Sequence, residues 1–243
     1  AFGPIMDPLG LGAQLDARKA TLSMDHSEII NGETTGLFLH GDGLIPSVQN
    51  TLFENNISDD SSNLGAAIEQ NTINMQPTFT NLTFSGNTRD RVMIPVDTLN
   101  RDVTLGGAPI GFKCGSNVCP ITVVSSYTLT IQPGAELDMT NNYLVYFLVQ
   151  SGGTLSAIAS ESDPISILAG QFRFEAESNG QFSHCEIDGN NFGTSVHGLI
   201  INTEGISINN SIIKNYSGIG VYVWAPASTS VSTNITDTNI LDN

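Results

Sequence analysis

Two histidine–glutamate pairs are the side chains of this sequence that are best suited to acid–base chemistry. His26 and Glu28 are separated by one residue, and so are His184 and Glu186. A histidine and a carboxylate within reach of each other can transfer protons near neutral pH. The two pairs occur in matching local sequences, DHSEI and SHCEI. Because a catalytic site is normally built once whereas structural residues recur with a repeat, we interpret both pairs as structural.

Calcium coordination is a second chemistry that the residue types allow. Asp188 and Asn190 lie on either side of Gly189, and another turn rich in Gly and Asp spans residues 40–43. Calcium takes six to eight oxygen ligands, which is more than either short turn supplies. No cofactor is therefore assigned, and calcium is kept as an option at Asp188 and Asn190.

The three cysteines divide into a close pair and a single residue. Cys114 and Cys119 enclose four residues that favour a turn, so we predict a local disulfide and an oxidising compartment. Two reduced thiols are the alternative, and a zinc site lacks further ligands nearby. Cys185 stands where the other copies of a repeated motif carry Ser, Thr or Leu, which indicates a packing role.

Both histidine–glutamate pairs, Asp188, Asn190 and Cys185 lie in copies of a nine-residue motif that occurs six times. It reads apolar, any, Asn/His/Asp, two of any type, apolar, any, and then a pair that is usually polar or Gly. The copies begin at Met24, Val48, Phe79, Phe182, Ile208 and Ile235, which are 24, 31, 103, 26 and 27 residues apart. Self-similarity at 20–50 residues is typical of solenoids, in which each turn buries its apolar side against its neighbours.

The motif also predicts how one turn of the coil, a rung, is shaped. Its apolar residues are five apart, so a straight strand would place them on opposite faces and a bend must lie between them. The third position suits that bend because Asn and Asp tolerate left-handed backbone geometry. We expect the third-position side chains to form a hydrogen-bonded ladder inside the coil.

The predicted fold is therefore an all-β parallel β-helix of about ten rungs of 22–31 residues. Strand-and-turn patterns continue through residues 127–167, where the run Leu144–Val149 does not alternate and calls for cover from another segment or subunit. We place residues 1–101 at the end of one module and residues 102–243 in a second. We expect the two to form one continuous solenoid cut from a longer chain.

Composition limits the partners of this chain. It has 8 Lys and Arg against 24 Asp and Glu, a net charge of −16. Nucleic acid would be repelled, as would an anionic polysaccharide without bridging divalent cations. No apolar run approaches the roughly 20 residues of a transmembrane helix, so membrane insertion is not expected.

Several segments resemble those of large secreted bacterial proteins. Leu129–Leu137, Ser151–Ala157 and Asp163–Ile165 are similar to stretches of right-handed parallel β-helix proteins of the pectin-lyase-like superfamily, and Phe53–Asn56 and Phe84–Asn87 resemble elements of surface autotransporters. The resemblance implies a right-handed coil and an extracellular or cell-surface location. The superfamily includes lyases, hydrolases, adhesins and stalks, so it does not fix the function.

The motifs of the catalytic members are missing or isolated here. The only Asp-Asp pair is Asp59-Asp60, and neither Gly-His-Gly nor Arg-Ile-Lys occurs. We therefore expect a non-enzymatic structural or adhesive segment. Its expected partners are other modules or copies of itself, end to end or side by side, with a polysaccharide or the surface of a host or neighbouring cell as further options. The alternatives are a polysaccharide lyase or hydrolase and a carbohydrate-binding module. Ice binding is a further alternative, based on the Thr-x-Thr pairs at Thr78, Thr128 and Thr236.

Overall fold

The computed structural model describes residues 13–18, 21–42, 44–58, 65–115, 118–140, 144–190, 196–225 and 231–243. Short strands and turns make up these residues, and no helix occurs among them. They belong to two compact units. Unit 1 comprises Ala1–Pro95 and Gly107–Lys113, and unit 2 comprises Val96–Gly106 and Cys114–Asn243. The predicted module boundary between residues 101 and 102 stays a prediction.

The strands are three to seven residues long, as expected for a coil that turns sharply. In chain order they are β1 Ala13–Arg18, β2 Ser23–Asp25, β3 Glu28–Ile30, β4 Thr35–His40, β5 Ser47–Gln49, β6 Leu52–Glu54, β7 Ala66–Gln70, β8 Thr78–Thr80, β9 Thr83–Ser85, β10 Arg89–Pro95, β11 Val103–Leu105, β12 Ile110–Lys113, β13 Val118–Val123, β14 Thr128–Ile131, β15 Glu136–Asp138, β16 Leu144–Val149, β17 Thr154–Ile158, β18 Ile165–Leu168, β19 Gln171–Phe174, β20 Asn179–Ser183, β21 Cys185–Asp188, β22 Leu199–Ile201, β23 Ile206–Asn209, β24 Ile212–Lys214, β25 Val221–Val223, β26 Thr233–Thr236 and β27 Asn239–Leu241.

Each unit stacks equivalent strands into three parallel sheets. In unit 1 the strand orders are β1-β4-β7-β10-β12, β2-β5-β8 and β3-β6-β9. In unit 2 they are β15-β18-β21-β24-β27, β11-β14-β17-β20-β23-β26 and β13-β16-β19-β22-β25. A strand therefore pairs with its equivalent one turn further along the chain, which is the arrangement of a parallel β-solenoid.

The predicted fold is confirmed, and the predicted number of rungs is wrong. Counted over both units, the described residues make about eight turns rather than ten. A full turn needs one strand in each of the three sheets, which holds for three turns of unit 1 and five turns of unit 2, and the further strands complete no additional turn.

The apolar positions of the motif build the core, as predicted. Six of these side chains are fully buried, namely Val48, Phe53, Phe182, Ile187, Ile208 and Ile213. In the copy at residues 235–243 the same positions, Ile235 and Ile240, are 38% and 45% exposed, since β26 and β27 are the last strands of their sheets. Aromatic rings add directional packing in unit 2, where Phe172 stacks on Phe147 and meets Phe182 edge-on, each at 5.1 Å between ring centroids.

Candidate functional site

All six third-position residues adopt left-handed backbone geometry, as predicted. Their φ angles lie between 45° and 53°, at His26, Asn50, Asn81, His184, Asn210 and Asp237. This geometry turns the chain between two strands, so that the apolar residues on both sides of the corner point inward. A fixed bend in every copy identifies the third position as a structural corner.

The ladder predicted inside the coil lies outside it. Asn50 donates from Nδ2 to Asp25 Oδ1 at 2.8 Å, and Asn81 donates from Nδ2 to Asn50 Oδ1 at 3.1 Å, both in exposed surroundings. Of these two bonds, the one between Asn81 and Asn50 joins two third positions, as predicted, whereas Asp25 is a second-position residue; the location of the ladder is corrected to the outside of the coil. The first, fourth and sixth positions already occupy the interior, as Val48, Thr51 and Phe53 do, so the corner residue itself points to solvent.

The internal ladder is formed instead by the ninth motif position, which the sequence did not single out. Asn56 is fully buried and donates from Nδ2 to Ile29 O at 3.1 Å and to Asn87 Oδ1 at 2.7 Å, while its Oδ1 accepts from the Gly32 N–H at 3.3 Å. Asn87 continues the ladder by donating to Phe53 O at 2.9 Å. These bonds satisfy buried backbone groups that would otherwise be unpaired.

The fourth position forms a second internal ladder. Ser211 donates from Oγ to Asn209 O at 2.8 Å and accepts from the Cys185 N–H at 3.2 Å. Thr238 repeats the pattern by donating to Thr236 O at 2.9 Å and accepting from the Ser211 N–H at 3.4 Å. A short side chain at this position therefore bonds its own corner and the adjacent turn.

Cys185 occupies the same fourth position as a buried free thiol. It is 2% exposed, and its Sγ lies 3.2 Å from Ala157 O. Burial raises the pKa of this thiol to about 12, which keeps it protonated near neutral pH. The predicted packing role is consistent with this environment. Cys114 and Cys119, in contrast, are joined by a disulfide with their Cα atoms 5.9 Å apart.

The two histidine–glutamate pairs are not acid–base pairs in the structure. His26 lies with Nδ1 2.8 Å from Asp25 Oδ1, and His184 lies with Nδ1 3.0 Å from Ser183 Oγ. Glu186 instead forms an ion pair with Lys214 at 2.6 Å. Each histidine therefore lies at a corner and contacts the side chain of the residue before it, in agreement with the structural interpretation.

The predicted calcium ligands lie in a network of protein hydrogen bonds. Asp188 Oδ1 accepts from the Asn190 N–H at 2.8 Å and from Asn215 Nδ2 at 3.0 Å, and Lys214 Nζ lies 3.6 Å from Asp188 Oδ2. The hydrogen bond and charge of Glu186, with a smaller contribution from Asp188, raise the pKa of Lys214, so a cation already occupies this position. Calcium at Asp188 and Asn190 stays a prediction. Over the described ranges, no three His, Cys, Asp or Glu side chains converge as metal ligands.

The outward side chains of unit 2 differ from one sheet to the next. We name the outward side of β11-β14-β17-β20-β23-β26 the hydroxyl face, because one column across all six strands is uncharged and polar: Thr104, Thr130, Ser156, Gln181, Ser207 and Asn234. The outward side of β15-β18-β21-β24-β27 carries most of the charged residues that lie within the strands of unit 2, namely Glu136, Asp138, Glu186, Asp188 and Lys214.

We name the third outward side, that of β13-β16-β19-β22-β25, the apolar face, after its apolar and aromatic residues Leu148, Ile200, Tyr222 and Trp224. Its central column contains Leu148, Arg173, Ile200 and Tyr222. The neighbouring column follows from the backbone hydrogen bonds that extend the ladder by one residue, and it contains Gln150, Glu175, Asn202 and Trp224. Tyr222 is 38% exposed and Trp224 is 49% exposed.

Side chains on the apolar face are held in fixed positions by their neighbours. The Arg173 guanidinium lies 4.4 Å above the centre of the Tyr146 ring and donates from Nε to Gln171 Oε1 at 3.0 Å. The His197 ring stacks on Tyr222 at 5.7 Å. The sequence placed Arg173 and Glu175 on an outer strand face, and the structure agrees. It also places Arg173 over Tyr146, in the run for which outside cover was expected.

Comparison with protein-family models, with curated proteins and with solved structures gives no match for this chain. The fold is therefore established by the strand pairing alone, and the resemblance to the pectin-lyase-like superfamily stays an expectation. Asp59-Asp60 lies outside the described residues. Within the described part of the chain, no helix is long and apolar enough to cross a membrane.

Proposed function

We propose that this chain is a non-enzymatic structural and adhesive segment of an extracellular or cell-surface β-helix protein. The observation that carries the proposal is the use of the motif's polar residues. The third, fourth and ninth positions turn the chain or bond to the adjacent turn, as at Asn50, Ser211 and Asn56. The repeated part of the sequence is therefore explained by the coil itself, without a substrate.

Two further observations support this proposal. Both histidines with a nearby glutamate in sequence are engaged at corners rather than with that glutamate. The disulfide between Cys114 and Cys119 suits an oxidising compartment, in which disulfides persist.

The decisive experiment is a depolymerisation assay. The chain is incubated with acidic and neutral polysaccharides in calcium and, separately, in EDTA, and the release of reducing ends or unsaturated products is measured. We expect no release above that of a heat-denatured control. Release that is lost in Glu186→Gln, with an unchanged circular dichroism spectrum, would overturn the proposal in favour of a lyase or hydrolase.

The hydroxyl face supports carbohydrate binding as a second candidate function. Six hydroxyl or amide side chains repeat there at the strand spacing of about 4.8 Å, without a charge in the column. Such groups can donate to and accept from the hydroxyls of a neutral glycan, and the absence of carboxylates from the column avoids repulsion.

Binding by this face is tested with insoluble neutral polysaccharides in a pull-down. Ser156→Lys and Gln181→Lys should reduce retention, because each places a long charged side chain in the column. Ser166→Lys on β18 is the matched control, since it adds the same charge to a different sheet. Equal retention of all three variants and the parent chain would reject the hydroxyl face as the binding surface.

A further inference from the structure

The apolar face of unit 2 contains two outward columns that complement each other. One column has Leu148, Arg173, Ile200 and Tyr222, and the other has Gln150, Glu175, Asn202 and Trp224. The cation Arg173 on β19 and the carboxylate Glu175 directly after that strand flank the buried Phe174, so both side chains point outward. A cation and an anion two residues apart on a flat strand are self-complementary under a two-fold rotation.

We propose that the apolar face is the interface of a side-by-side dimer of this chain. The two-fold axis would run along the stacking direction of the strands, between the two columns. Such a rotation reverses the strand direction and brings the two apolar faces together. It places Arg173 opposite Glu175 of the second copy, and Tyr222 opposite Trp224 of the second copy. Each contact then occurs twice.

The charges of the face favour a second copy over other occupants. Arg173 is stacked on Tyr146 and bonded through Nε to Gln171, and no acceptor in the described residues is paired with its terminal nitrogens. A carboxylate two residues along the strand supplies the matching anion only when a second copy faces the first. An interfacial arginine–carboxylate pair is bidentate and directional, so it fixes the register of the contact.

The aromatic residues supply the apolar part of the same contact. Tyr222 is 38% exposed on β25, the last strand of this sheet, and Trp224, directly after that strand, is 49% exposed. Tyr222 is held by the His197 ring, so little side-chain freedom is lost when it is covered. Tyr, Trp and Arg are the residue types that most often dominate binding at protein interfaces.

The proposal is tested by charge exchange in the full 243-residue chain. Light scattering coupled to size exclusion, run from about 1 to 100 µM, should show the parent chain at twice the mass of 25.8 kDa. Arg173→Glu and Glu175→Arg should each weaken the dimer by about tenfold or more, because like charges then face each other. The double variant Arg173→Glu/Glu175→Arg should restore it, since the opposite charges again face each other.

Two controls separate a lost interface from a damaged fold. Glu175→Arg leaves the Arg173–Tyr146 contact untouched, and Lys214→Glu makes the same change in net charge as Arg173→Glu on a different sheet. Lys214→Glu should remain dimeric, and circular dichroism should be unchanged in all variants. Trp224→Lys provides an independent disruption of the same surface.

A parent chain that is monomeric over the whole concentration range would overturn the dimer, as would a double variant that stays monomeric while folded. If the parent chain is monomeric and binds a polysaccharide, and if Trp224→Lys abolishes that binding, the face would be assigned to a glycan instead. Because association is measured without any substrate, a negative result here leaves the proposed structural function standing.

Discussion

A single backbone requirement explains the residue types at the third motif position. Left-handed geometry costs most residues about 1–2 kcal/mol, and Asn and Asp reduce this cost by bonding locally. Four of the six corners carry Asn or Asp, and the other two carry His26 and His184. Two rings that resemble catalytic histidines in the sequence are therefore accounted for by the shape of a turn.

Substitution of His184 separates the structural role from a catalytic one. His184→Asn should change the free energy of unfolding by less than about 0.5 kcal/mol, because Asn tolerates a φ of 53°. His184→Val should reduce it by about 1–2 kcal/mol, because a β-branched side chain does not. Denaturant titration followed by circular dichroism measures both. Equal losses in the two variants would contradict the corner role.

Asn56 is the residue whose removal should be most costly among the ladder positions. Its buried amide bonds to Ile29 O, to Asn87 Oδ1 and to the Gly32 N–H. Asn56→Ala leaves these buried groups without partners, so the free energy of unfolding should fall by about 2–4 kcal/mol. Asn234→Ala, at an exposed strand position, is the control and should cost less than about 0.5 kcal/mol.

The external ladder should be visible in the titration of Asp25. The hydrogen bond from Asn50 Nδ2 is the main cause that lowers the pKa of this carboxyl, with a further contribution from the charge of His26. A lowered folded pKa means that Asp25 favours the fold above its unfolded pKa, and that this contribution is lost as the pH falls through the folded value.

NMR titration of the Asp25 carboxyl checks this effect directly. Asn50→Gly removes the amide but allows the φ of 45°, so the pKa of Asp25 should rise toward its ordinary value. Asn210→Gly removes a corner amide from unit 2 and should leave the pKa of Asp25 unchanged. A pKa that does not move in Asn50→Gly would show that the ladder bond is not formed in solution.

At the scale of the strands, periodicity predicted the elements that alternate cleanly. The apolar residues of β14 and β15 point inward as their sequences indicate, and the corners between strands follow from one polar residue per copy. The internal amide ladder could not be predicted in this way. A second left-handed residue at the eighth position, such as Asn55 or Asn215, turns the ninth side chain inward. The spacing of apolar residues does not reveal this second bend, so the inward direction of the ninth side chain could not be predicted from it.

The side-chain contacts on the apolar face could not be predicted from the sequence, for a related reason. Tyr146 and Arg173 are 27 residues apart and meet only because β16 and β19 pair in one particular register. Rungs differ in length, so the register of one pair does not give that of the next. The outward residue types could be predicted from alternation, whereas their neighbours across the sheet required the structure.

Among the described residues, one disulfide cross-links the chain, and it lies in the connection between two strands. It links Cys114 to Cys119 at the start of β13, and closing so short a loop should contribute about 2 kcal/mol. Cys114→Ser/Cys119→Ser should lower the melting temperature by about 4–8 °C. A reducing agent should lower the melting temperature of the parent chain similarly and leave the double variant unchanged. Cys185→Ser is the control, since Ser211 already occupies the equivalent position.

At the scale of the whole molecule, the net charge of −16 acts against the compact state. Carboxylates such as Glu136, Asp138 and Glu186 lie on one sheet of unit 2, where the single lysine, Lys214, offsets only part of their repulsion. Salt should therefore stabilise the fold by screening, which is the reverse of its effect on a protein held mainly by surface ion pairs.

Thermal melting in sodium chloride tests this balance and also tests the predicted calcium ligands. Raising the salt should raise the melting temperature, by about 2–4 °C for each kcal/mol of repulsion removed. Calcium chloride at matched ionic strength should give the same rise if it acts only by screening. A larger rise that disappears in Asp188→Asn would indicate specific binding at Asp188 and Asn190, because a bound ion stabilises the folded state by mass action. A melting temperature that falls with added salt would show that favourable ion pairs, such as Lys214–Glu186, outweigh the carboxylate repulsion.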